Sequence, residues 1–146
     1  MLKYFFLLPV LIVGQIEKQV RDDNPALFKN HRIFHAPPKP LFRGRPHTLT
    51  FITDIPSDSV ESSFLFFKTD QQDSYQEFNL KGEHGKYVFL YEPKQYPGER
   101  LQYYFLIKTP RGSHANPINE KGELDFWDKL LIDPVEYFRQ KARLNQ

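Results

Sequence analysis

Cysteine is absent from the 146 residues, which excludes a disulfide framework, a thiol nucleophile and lipid attachment through a lipobox cysteine. The fold must hold by packing alone. A surplus of one charge is missing too. Lys and Arg total 20 against 18 Asp and Glu, a formal +2, too small and too dispersed for the basic stripe that a phosphate backbone requires, so nucleic acid is not an expected partner. No Gly-x-Ser-x-Gly, no His-Glu-x-x-His and no Gly-rich phosphate loop occurs, and without them neither an enzyme activity nor a cofactor is expected. Carboxylate pairs such as Asp70 with Asp73, or Asp54 with Asp58, fall in turn sequences, where Asp serves the backbone.

Aromatics are plentiful: 14 Phe and 8 Tyr against one Trp and one Met, with 40% of residues apolar, enough for one packed, aromatic-rich domain of ordinary size. The chain opens with "MLKYFFLLPVLIVG", one cation (Lys3) before an uncharged run from Tyr4 to Gly14. That is the anatomy of a secretory signal peptide, and the run is shorter than the roughly 20 residues a membrane span needs. Residues 1–15 are therefore expected to be a signal peptide, cut somewhere near Gly14 to Gln19. Export to the periplasm or the extracellular space follows, with membrane contact only through the signal segment if it stays uncleaved. Residues 16–30 keep no period and read as a polar spacer.

"HRIFHAPPKPLFRGRP" holds four prolines in 16 residues, which bars a helix and suits an edge strand leading into a β-domain that begins near His31. His31 and His35 have the spacing that sets two metal ligands on one helix face, but Pro37 and Pro38 deny them that helix, and no metal site is expected. Strand patterns follow at 47–54, 60–68, 74–81, 85–93 and 100–109, separated by polar turns and by no helical segment. Such spacing argues for antiparallel pairing in a sandwich rather than βαβ units. In 100–109 one face carries Leu101, Tyr103, Phe105 and Ile107 and the other Gln102, Tyr104, Leu106 and Lys108, so these aromatics are core by default, with Tyr104 the one open to a binding face.

"YPGERLQYYFLIKTPRG", a Pro-Gly before a Leu-x-Tyr strand with a Gly-containing turn after it, resembles the penultimate strand of immunoglobulin-like and fibronectin type III-like domains. With "IFHAPP" at the start, residues 31–120 are similar to small Ig-like modules of exported bacterial proteins. The resemblance implies an all-β, antiparallel Ig-like sandwich, from whose antibody-type pattern the chain departs in having no cysteine pair and in placing its one tryptophan, Trp127, after the sandwich rather than on its central strand. It implies that Tyr103 is a structural tyrosine-corner residue, its hydroxyl bonded to backbone a few residues upstream.

Residues 121–146 read as an extension ending in a short amphipathic helix. Asp133 is its N-cap, Pro134 its first residue and Glu136 a capping-box partner, with Lys141 and Arg143 at the end that favours cations. Leu131, Val135, Phe138 and Ala142 form one stripe, which either packs on the domain or meets a partner. Trp127 and Phe126 are anchors of the interface type. Two functions suit these features. One is an exported, non-catalytic interaction or accessory module of the cell envelope, with Trp127 and Phe138 as contacts to an envelope protein. The other is a carbohydrate-binding domain, with Tyr87, Phe89, Tyr91 and Tyr104 as a platform for a glycan.

Overall fold

The computed structural model describes residues 31–146, and the expected signal peptide (1–15) and spacer (16–30) lie outside them. Strands β1 (Ile33–His35), β2 (His47–Thr53) and β5 (Lys86–Tyr91) form one antiparallel sheet in the order β1-β2-β5. The second sheet runs β4 (Gln76–Asn79), β3 (Ser62–Thr69), β6 (Arg100–Thr109), β7 (Gly112–Asn116), with β8 (Trp127–Leu130) also on β6. One helix, α1 (Pro134–Leu144), ends the chain. Among the described residues no helix is long and apolar enough to cross a membrane.

Alternation builds the core. Leu101, Tyr103, Phe105 and Ile107 of β6 have no exposed surface, and Leu65 and Phe67 of β3 join them from the neighbouring strand. Facing them are Leu49 and Phe51 of β2 with Tyr87 and Tyr91 of β5, in one cluster. The sheets meet ring to ring: Phe51 lies 4.4 Å from Phe105 and Phe67 5.5 Å from Tyr91. Each such side chain taken from water contributes roughly 1.5–3 kcal/mol, and this burial holds together a chain without cross-links. The continuous apolar run of β3 is covered on both faces, because Phe66 points away from the core into a second cluster with Leu106 and Ala115, roofed by Ile118 and Leu124.

The chain crosses from β4 back to the first sheet and enters β5 through a two-residue turn. Glu83 and Lys86 exchange both backbone hydrogen bonds at 3.0 Å, while His84 and Gly85 take φ of 51° and 75°. A β-carbon at position 85 would sit 2.6 Å from the Thr53 carbonyl oxygen, so glycine is required there both by backbone angle and by space.

Trp127 does not lie after the sheets. Residues 127–130 pair with Tyr103 down to Arg100, on the edge of β6 that β7 covers only from Phe105 to Thr109. β6 has ten residues and β7 five, so half of that edge is left for a returning strand. The inward side of the return, Trp127, Lys129 and Leu131, is masked in sequence by the charges of Asp128 and Lys129. Leu131 is buried at 4% exposure and belongs to the main core.

Helix α1 begins as its caps dictate: Asp133 accepts from the Val135 and Glu136 amides, and Pro134 is the first residue. Its stripe is not core, for no residue of the helix is buried and Val135 and Phe138 are 63% and 50% exposed. Leu131 carries the anchoring instead. The expectation that Leu131, Val135 and Phe138 act together fails because Leu131 precedes the helix, in the extended segment whose Ile132 bonds Leu41 and Arg43.

Candidate functional site

In the first sheet, pairing in register sets Phe34 opposite Ile52, Thr50 opposite Val88 and Thr48 opposite Leu90, all on the face turned away from the core. Phe34, Ile52, Val88 and Leu90 are 51%, 52%, 47% and 58% exposed. Solvent-exposed strand faces ordinarily carry polar residues, so four large apolar side chains clustered on one small sheet are a feature in need of a function. Only the threonines of β2 and Lys86 interrupt them.

This face continues around the edge strand β1 into a groove of about 700 Å³ lined by Phe34, Ile52, Thr50, His35, Asn116 and Trp127. The groove floor is hydrogen bonded throughout. Asn116 donates to the Ile33 carbonyl at 2.9 Å and accepts from Trp127 Nε1 at 2.8 Å, tying β1 of one sheet to β7 and β8 of the other. His35 lies against Tyr103, Phe105 and Trp127, ring centroids 4.9–5.5 Å apart, with Nδ1 2.6 Å from the Thr50 carbonyl and Nε2 2.9 Å from the Tyr103 hydroxyl. Burial lowers the His35 pKa, the Thr50 bond works against that, and the charge of Lys129 adds to the lowering. Lys129 Nζ stands 5.1 Å from the centre of the Trp127 ring, so a cation already occupies one face of that indole.

No family model matches the chain, and no curated protein matches it. Among solved structures, the endo-β-1,4-mannanase from Thermotoga petrophila aligns with 72% of this chain and 21% of its own, at 11% identity and a TM-score of 0.47. An engineered protein aligns with 68% of this chain and 20% of its own, at 12% identity and a TM-score of 0.45. The chain spans about a fifth of the length of either, and a likeness this distant assigns neither fold nor activity.

The residues expected to bind are scattered. Tyr87 is buried and stacked on Phe51 at 4.7 Å, Tyr91 is buried with its hydroxyl donating to the Tyr96 carbonyl at 2.8 Å, and Phe89 is half-buried between Phe67 and Phe78. These three point into the core, because the alternation of β5 turns Val88 and Leu90 outward, and they form no exposed platform. Tyr104 lies on the outer face of the other sheet, stacked on Phe66 at 4.8 Å. Trp127 is in the groove and Phe138 on α1, apart from both. Tyr103 is buried as expected, and burial pushes its hydroxyl pKa far upward. Its partner is the His35 side chain rather than upstream backbone, since His35 from β1 reaches the hydroxyl across the core. The histidine pair 31/35 sits on an extended segment, and among the described residues no three His, Asp or Glu converge as metal ligands.

Phe34, Ile52, Val88 and Leu90 were not legible as a site. The one signal for them is that "YVFLY" is apolar at consecutive positions, so one of its faces had to be something other than core.

Proposed function

We propose that this chain is an exported, non-catalytic Ig-like, fibronectin type III-like interaction module of the cell envelope, and that it docks a protein partner through the outer face of β1-β2-β5. The observation that carries the reading is the half-exposure of Phe34, Ile52, Val88 and Leu90 on that one face. The strand orders β1-β2-β5 and β4-β3-β6-β7 support the sandwich type, a three-and-four split to which β8 adds an eighth strand on β6. Preorganisation supports docking, since the face is rigid sheet and needs no ordering on contact.

Site-specific photo-crosslinking in intact cells tests it. Crosslinkers at Ile52 or Val88 should yield one discrete protein adduct that a crosslinker at exposed Glu77 of β4 does not. Equal or absent adducts at all three positions would remove the docking face.

Glycan binding is a second reading with its own observation: Tyr104 on Phe66, Tyr75 edge-on to Tyr104 at 5.3 Å, and Lys68 over Tyr75 at 4.9 Å, on the outer face of the other sheet. Glycan-array binding abolished by Tyr104→Ala, and not by Ile52→Glu, would favour it over the protein partner.

A further inference from the structure

The helix that ends the chain is neither core nor idle surface. At about 100° per residue, Val135, Phe138 and Ala142 form one stripe of α1, bordered by Arg139 and Arg143 on one side and Lys141 on the other. The first turn is anchored. Phe138 and Tyr137 lie 5.7 Å and 5.4 Å from Phe42, and the Arg45 guanidinium stands 5.2 Å from the same ring. Beyond that turn every residue from Phe138 onward is exposed, Leu144 at 86%.

Charge is distributed to match. Glu136 is the one acidic residue of α1, and it is held by Arg139 at 3.1 Å and Gln140 at 3.0 Å. Asp133 is engaged by Arg43 at 3.6 Å and by the helix amides it caps. Arg45, Lys141 and Arg143 have no ion-pair partner among the described residues. The surface therefore offers an apolar stripe flanked by long cationic side chains, whose stems can follow the apolar surface while their heads stay in water.

We propose that α1, with Phe42 and Arg45 beside it, docks on an anionic phospholipid bilayer. A protein groove deep enough to bury Val135 and Phe138 would strip water from Arg139, Lys141 and Arg143 unless acidic partners met each of them. A bilayer takes the stripe at its headgroup boundary and leaves the cations among lipid phosphates. An isolated helix of this length is marginal in water. Here the Asp133 cap, the Ile132 bonds to Leu41 and Arg43, and the Phe42 contacts hold it formed before contact. This surface is separate from the outer face of β1-β2-β5, so it stands whether or not that face has a partner.

The test is sedimentation of the full chain with vesicles of phosphatidylcholine alone or mixed with phosphatidylglycerol, beside hydrogen exchange of the α1 amides. The apolar N-terminal run can enter either vesicle, so the informative quantities are the gain from phosphatidylglycerol and the protection of α1. Binding should rise with phosphatidylglycerol and fall with added salt, and α1 should gain protection on those vesicles only. Lys141→Gln and Arg143→Gln should each weaken the phosphatidylglycerol-dependent binding about fivefold. Phe138→Ser should weaken it as well, in a domain that loses the ring contact to Phe42 but stays folded by circular dichroism. Equal binding by parent and variants, or α1 amides no better protected on phosphatidylglycerol vesicles, would overturn the proposal. So would α1 protection that appears only on addition of an envelope protein, which would assign the stripe to a protein groove.

Discussion

The Tyr103 hydroxyl and His35 Nε2 are 2.9 Å apart in the core, and the other ring nitrogen of His35 lies 2.6 Å from the Thr50 carbonyl oxygen. A carbonyl only accepts, so Nδ1 carries the proton and Nε2 accepts from Tyr103. One neutral tautomer satisfies three groups on β1, β2 and β6, which makes this pair a polar clasp between the two sheets.

Tyr103→Phe removes the donor and leaves His35 Nε2 unsatisfied. The expected loss is about 1–2 kcal/mol in urea unfolding. A midpoint equal to the parent's would show that the clasp contributes nothing.

The same clasp predicts a pH dependence. Burial lowers the pKa of His35, and burial together with Arg32 lowers that of His114, both from an ordinary 6.5. His114 Nδ1 is buried without a hydrogen-bond partner among the described residues. With both folded values depressed, the unfolded chain binds more protons in the window just below the ordinary value, so stability rises with pH there. It is complete above pH 6.5 and is lost as the pH falls through 6.5 toward the folded values. Urea unfolding at a series of pH values across this window should show the decline, and His35→Gln should flatten it. An unchanged slope in that variant would assign the whole effect to other groups.

Asn116 bridges the Ile33 carbonyl and Trp127 Nε1. Asn116→Ala breaks both bonds and leaves two groups of the groove floor unpaired, so a loss of about 2 kcal/mol is expected. Trp127 emission should also shift in the folded variant. If neither stability nor emission changes, the two sheets are not joined through this side chain.

Exposed apolar residues behave differently from core ones. Ile52→Thr and Leu90→Thr should change stability by no more than about 0.5 kcal/mol, as surface substitutions do. Leu49→Ala, on the inward face of the same strand as Ile52 and fully buried, should cost about 2–5 kcal/mol. A large loss in Ile52→Thr would mean that the outer face is covered by the chain itself.

Two truncations separate sheet from helix. Removal of 134–146 takes away α1, whose residues are unburied, and with it the ring contacts to Phe42, worth about 1–2 kcal/mol in all. The domain should stay folded by circular dichroism. Removal of 127–146 also deletes β8 and buried Leu131 and should prevent cooperative folding. Equal behaviour of the two would refute the role of β8.

Local chemistry made much of this protein legible in its sequence. Strict alternation in 100–109 named the core face of β6, because side chains of a strand point to opposite sides whatever surrounds it. Asp133 and Pro134 marked the start of α1, because capping is settled within one turn. The rest required the whole fold. "YVFLY" is apolar on both faces, so only the opposing sheet decided that Tyr87, Phe89 and Tyr91 go inward while Val88 and Leu90 stay in water. The partner of Tyr103 lies 68 residues away, where no local pattern reaches. Trp127 rejoined the sheet because β7 is too short to cover β6, a vacancy that depends on the lengths of two distant strands. Position within a strand is local physics, whereas which of two apolar faces is buried, and what meets a buried hydroxyl, belongs to long-range packing.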